Sequence, residues 1–169
     1  MEKRITGLPN PILTQMVHNT TSWVGHFEHD PRTREAGQVF SCPDETDLGG
    51  IEIFSDLVHH PGRVLLELYR FDLENQEWGP LLASSEREVG REDDSSWIQF
   101  RVDPVHLEKG SQYGFIVSSQ EAFVALGEAA WPNDASHPWG KEWSASDVDA
   151  DGHFYDHFSL AFKLDQEKE

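Results

Sequence analysis

Apolar residues in this chain repeat with a period of two, in run after run. Ile51 and Ile53 flank Glu52, and Val64, Leu66 and Leu68 alternate with Leu65, Glu67 and Tyr69. Ile98, Phe100 and Val102 repeat the pattern, as do Tyr113, Phe115 and Val117, then Phe158, Leu160, Phe162 and Leu164. Successive side chains of a strand point to opposite faces, so each run offers one apolar face and one mixed face. Pro61-Gly62, Asn75-Gln76-Glu77, Lys109-Gly110 and Asp151-Gly152 fall between runs, where turns are wanted. No amphipathic helix of more than three turns fits between them. The expectation is an all-β chain, folded as an antiparallel β-sandwich of jelly-roll type. Its core should hold Leu66, Leu68, Phe100, Phe115, Val117, Phe158, Leu160 and Phe162. Trp97 has the opposite parity to Ile98, Phe100 and Val102, which leaves it on the second face or turned inward by a bulge.

At 169 residues the chain is sized for one domain. Residues 1–35, with Pro9, Pro11 and Pro31 and no sustained alternation, read as an irregular leader. Residues 36–164 carry the sandwich and 165–169 an acidic tail. Two stretches stay open: Pro11–Val17 between an edge strand and a short helix, and Gln120–Leu126 between a helix and a strand. Thirteen Lys and Arg against 31 Asp and Glu leave a net charge of −18, which repels phosphate backbones and argues against a nucleic-acid partner. No apolar run is long enough for membrane insertion, and no signal peptide is visible at the start. The sequence as written reads as cytoplasmic, or as extracellular if a leader has been removed. Cys42 stands alone, which excludes an internal disulfide framework and a Cys-based zinc cluster.

The ordered series Val39–Pro43, Leu48–Ile53, Pro61–Tyr69, Gly79–Ser84, Trp97–Phe100 and Leu107–Phe115 resembles the jelly-roll accessory modules of bacterial surface and secreted proteins. Those modules are galactose-binding-like or carbohydrate-binding-module-like sandwiches, and the resemblance includes a Leu-x-x-Gly-x-x-Tyr element at Leu107, Gly110 and Tyr113. It implies a sandwich over residues 37–164. A fold hosts many functions, so the site has to come from side chains.

Three local patterns carry chemistry. Trp131, Trp139 and Trp143 lie close together with Asn133, Asp134, His137 and Lys141 among prolines and a glycine. Flat rings beside polar groups can stack on sugar faces and bond hydroxyls, although the same tryptophans could pack under the loop as a satellite core. Asp147, Asp149 and Asp151 precede Gly152, an arrangement of alternating carboxylates that can wrap calcium in a structural site. An EF-hand is excluded, because its twelfth position is Phe158 and the following segment reads as a strand. His153 and His157, four apart, would share a strand face and could ligate a transition metal; exposed histidines at strand ends are the alternative.

No Gly-x-Ser-x-Gly elbow, phosphate loop or dinucleotide fingerprint occurs. The residues therefore point first to a non-catalytic module that binds a carbohydrate or similar polar ligand at the Trp-rich loop. A structural or interaction domain, self-associating through sheet edges or the leader, is the alternative. A metal-dependent enzyme built on His153 and His157 is the third reading.

Overall fold

A computed structural model describes residues 11–29, 32–131 and 140–167. It is built of strands β1 (Pro11–Gln15), β2 (Thr20–His26), β3 (Thr33–Ser41), β4 (Thr46–His60), β5 (Gly62–Asp72), β6 (Glu77–Val89) and β7 (Ser96–Leu107). They continue as β8 (Gln112–Ser118), β9 (Phe123–Ala130), β10 (Glu142–Ser146), β11 (Asp149–Tyr155), β12 (Phe158–Leu160) and β13 (Phe162–Gln166). Among the described residues, one 3-10 turn, Arg91–Asp93, interrupts them. Among the described residues no helix is long and apolar enough to cross a membrane.

The antiparallel pairings run β1-β13-β4-β9-β2-β3-β8-β5-β6, with β7 on β4, β12 on β9, β10 on β3 and β11 on β10. This sheet curls back over itself as a β-sandwich and buries one core. The pairing order carries the all-β antiparallel class and does not by itself define jelly-roll connectivity.

Parity places the core. Leu66, Leu68, Phe100, Phe115, Val117, Leu160 and Phe162 are fully buried, as the alternation expects. Phe115 meets Phe162 edge-on at 5.6 Å, and Phe40 lies 6.0 Å from Tyr113 and 6.1 Å from Phe162. Phe158 departs from the expected list. It sits at the start of β12 opposite Ala130, only partly covered, edge-on to Tyr155 at 6.0 Å.

The expected leader is not irregular where it is described. Residues 11–15 form an edge strand on β13, and β2 lies against β9 from Thr20 to Gly25. In β2, Trp23 stacks on Phe123 at 4.5 Å, and Phe27, just past the strand, lies 5.3 Å from the same ring. The Gln120–Leu126 stretch resolves as strand from Phe123 onward. Asp165, expected in an acidic tail, is buried inside β13. Trp97 lies on the second face, edge-on to Phe54 at 5.3 Å with the Lys163 Nζ 4.3 Å from its ring centre.

Outside the core, a second aromatic layer covers β5, β6, β8, β10 and β11. Trp78 meets Phe71 at 5.2 Å and Trp143 at 5.4 Å, both edge-on, and Phe154 meets Phe71 at 5.4 Å. Its footing is backbone without side chains. A Cβ at Gly114 would stand 2.6 Å from the Trp78 ring, so the absent side chain is what lets the indole lie on the sheet.

Two carboxyl pairs are buried. Glu52 of β4 and Asp165 of β13 are neighbouring buried carboxyls, with Glu52 Oε2 and Asp165 Oδ1 lacking a hydrogen-bond partner and Gln99 Nε2 3.5 Å from Asp165 Oδ2. Burial first, and then the Glu52 carboxyl, raise Asp165 far above the ordinary carboxylate range; Gln99 and Lys163 offset this only in part. The second pair, Glu128 and Glu142, borders the site described next.

Candidate functional site

The hairpin β10–β11 pairs Trp143 with Phe154, Ser144 with His153 and Ser146 with Asp149. Its period of two sorts the side chains cleanly. Trp143 and Phe154 join the outer aromatic layer, while Glu142, Ser144, Ser146, Asp149, Asp151, His153 and Tyr155 share the other face. Beside that polar face, a cleft of about 280 Å³ opens between the hairpin and the start of β3 and β2. Its lining includes Ser22 and Trp23 from β2, Arg34 and Glu35 from β3, Ser144, Ala145 and Ser146 from β10, and Asp149, His153 and Tyr155 from β11.

The hydrogen bonds within it fix the polar groups. His153 Nε2 lies 2.6 Å from Asp149 Oδ2, and Ser144 Oγ lies 3.5 Å from the Tyr155 hydroxyl. The Tyr155 ring is substantially exposed. At the cleft's edge, burial raises the Glu35 carboxyl, and the nearby Glu67 and Asp147 carboxylates add to the shift. Further along the same face of β10, Glu142 is only 2% exposed, and its Oε1 is buried without a hydrogen-bond partner. Burial, followed by the Glu128 charge, holds the Glu142 proton far above the ordinary range.

The expected ligand residues are distributed differently. Asn133, Asp134, His137 and Trp139 lie outside the described residues. Trp131 is partly buried, with its Nε1 donating to Ser159 Oγ at 2.9 Å, and Lys141 pairs with Asp156 at 3.4 Å. Trp143 is 4% exposed, packed against Trp78 and Gly152, so its ring faces are not open to a ligand. The satellite-core alternative therefore describes Trp143. The reason is tertiary: strand pairing delivers this indole to the outer aromatic layer, which its sequence neighbours do not reveal.

The acidic run is a hairpin turn. Asp147 Oδ2 accepts from the Thr33 backbone N–H at 3.2 Å, and the Asp147 N–H donates to the Thr33 carbonyl at 3.3 Å. Asp149 is engaged by His153, and Asp151 is exposed along β11. Among the described residues no group of three or more His, Cys, Asp and Glu side chains is placed to hold a metal ion. The three aspartates do not converge as a calcium loop. Nor do His153 and His157 share a strand, because β11 ends at Tyr155 and a bend carries His157 away.

The cleft itself was legible only in outline. Ser144-Ala145-Ser146 followed by Asp149-x-Asp151-x-His153-x-Tyr155 is a polar alternation, the signature of a hairpin with one wetted face. Ser22 and Arg34 could not be added to it, since nothing local says that β2 and β3 approach this hairpin.

Neither a protein-family model nor a curated protein matches the chain. Among solved structures, the chain is similar to one of the cysteine protease and lectin-like domains of Cwp84, a surface layer associated protein of Clostridium difficile. The TM-score is 0.50 at 13% identity, over 89% of this chain and 36% of that one. A second structure, of the clostridial cysteine protease Cwp84 after propeptide cleavage, gives a TM-score of 0.49 at 15% identity over 88% of this chain and 38% of that one. The chain thus spans little more than a third of either structure. At this identity the first likeness shows a shared β-sandwich fold.

Proposed function

We propose that this chain is a non-catalytic binding module for a carbohydrate or a similarly polar ligand, held in the β10–β11 cleft. One observation carries the reading: the β10–β11 hairpin presents an exposed tyrosine ring beside serine hydroxyls and an Asp149–His153 pair, in a cleft of about 280 Å³. A ring for stacking, flanked by a few fixed donors and acceptors, is the composition that sugar hydroxyls and faces require. The sandwich likeness to a structure that includes a lectin-like domain supports it by analogy of fold. The segment carrying Asn133, Asp134, His137 and Trp139 runs directly into β10 and is part of the same test.

The test is a glycan array followed by calorimetry on the wild type, Tyr155→Ala, Ser144→Ala and Trp139→Ala. Loss of at least tenfold in affinity with Tyr155→Ala is expected, the size of an aromatic anchor of about 2 kcal/mol. Binding that survives Tyr155→Ala and Ser144→Ala but vanishes with Trp139→Ala would move the site to the loop. A wild-type protein that binds no glycan would end the reading.

A further inference from the structure

A second cavity, of about 80 Å³, lies where the ends of β2 and β4 meet the start of β9. It is lined by His26, Phe27 and Glu28 where β2 ends, by His59 and His60 at the end of β4, and by Glu121 just before β9. It shares no lining residue with the β10–β11 cleft.

Contacts around the cavity fix its walls. Phe27 and His59 stand at 72° with ring centres 5.4 Å apart, so their planes form a corner. Both rest on Phe123, Phe27 at 5.3 Å and His59 edge-on at 6.0 Å. The His26 backbone N–H donates to the Ala122 carbonyl at 2.9 Å, and its Nδ1 lies 3.3 Å from Thr33 Oγ1. Glu121 Oε1 accepts from the Arg63 backbone N–H at 2.9 Å. Its Cγ lies over Gly62, where a Cβ would stand 2.7 Å away. Glu28 is on the surface, with His29 Nε2 3.9 Å from its Oε1.

Four planar rings and two carboxylates around so small a space select among ligands. Pockets that enclose a whole drug-sized molecule begin near about 300 Å³, so this one takes a single compact group. An anion is repelled by the two carboxylates, and the described lining residues include no lysine or arginine. A bare metal ion is not matched either, since no three His, Cys, Asp and Glu side chains among the described residues are placed to hold one. A quaternary ammonium group suits the lining on both counts. Its charge is spread over methyl carbons, which pack on aromatic rings and need no convergent lone pairs. The net charge of −18 draws cations toward the surface.

We propose that this cavity binds a quaternary ammonium group, with Phe27 and His59 as its aromatic walls and Glu121 as its fixed counter-charge. The site goes beyond the carbohydrate reading and does not depend on it.

The experiment is a titration of the whole chain with choline, followed by amide NMR at about pH 8, above the ordinary histidine range. Choline chloride replaces sodium chloride at constant ionic strength, so the general field of the chain is equally screened throughout. Saturable shifts are expected at the six lining residues. Dimethylbutanol, the neutral carbon isostere of choline, should bind at least about tenfold more weakly. Phe27→Leu keeps apolar bulk without the ring, and Glu121→Gln keeps an acceptor for Arg63 without the charge. Each should weaken choline about tenfold. Shifts that never saturate, or that scatter over the surface, overturn the site. Equal binding of choline and its isostere does so too, as does affinity unchanged in both variants. Should Phe27→Leu fail to fold, Glu121→Gln and the isostere decide. Phosphatidylcholine vesicles then separate two sources of the group. Co-sedimentation lost in Glu121→Gln assigns it to a lipid head, and choline binding without co-sedimentation assigns it to a dissolved compound.

Discussion

The indole of Trp143 rests so closely on Gly152 that a Cβ added to the glycine would stand 2.5 Å from the ring atoms Cε2 and Nε1. Gly152 also has φ +75°, a conformation that a side chain disfavours. The glycine after the acidic run thus serves the aromatic layer behind the hairpin.

Gly152→Ala should accordingly destabilise the fold by about 1–3 kcal/mol, as overpacking does, in addition to the backbone cost. Gly110 is the control, because it has φ +84° and nothing within 4 Å of an added Cβ. Gly110→Ala should cost about 1 kcal/mol through the backbone alone. Urea unfolding of both variants makes the comparison, and equal losses would show that the Trp143 contact contributes nothing.

Phe115→Ala removes a fully buried ring from the centre of the core, against Phe162. About 3–5 kcal/mol should be lost. Trp97→Ala, on the partly open second face, should cost distinctly less despite the larger side chain. A larger loss at Trp97 would contradict the assignment of the two faces.

Stability should rise as pH falls toward 5. The Asp165 carboxyl, raised by burial and by Glu52, keeps its proton in the folded chain at pH values where the unfolded chain has released it. This contribution is complete below the ordinary carboxylate range and is lost as pH climbs through the raised folded value. The unfolding constant should therefore grow about tenfold per pH unit for this proton above the ordinary range. Asp165→Asn should remove that part of the slope in urea titrations. A wild type as stable at pH 8 as at pH 5 would contradict it.

Calcium should leave the melting temperature unchanged. Asp147 is held by Thr33 and Asp149 by His153, and a ligand raises stability only when it binds the native state selectively. Thermal melts in millimolar calcium and in EDTA test this directly. A higher melting temperature in calcium, abolished by Asp149→Asn, would restore the aspartates as a metal site.

Alternation alone determined that this chain is an antiparallel sandwich and which side of most strands is buried. Side-chain parity is a local property of extended backbone, so Leu66, Phe100, Phe115 and Phe162 announce the core without reference to any partner strand. Parity is silent about how far each residue is covered: Phe158 keeps the core parity and is only partly buried. It also offers no forecast for residues paired across long stretches of sequence. Trp143 reads as a loop tryptophan until β10 and β6 bring it to Trp78, and Asp165 reads as tail until β13 sets it against Glu52. The cleft and the buried Glu128–Glu142 pair have the same origin. Each is assembled from strands distant along the chain, and desolvation exists only once those strands have packed.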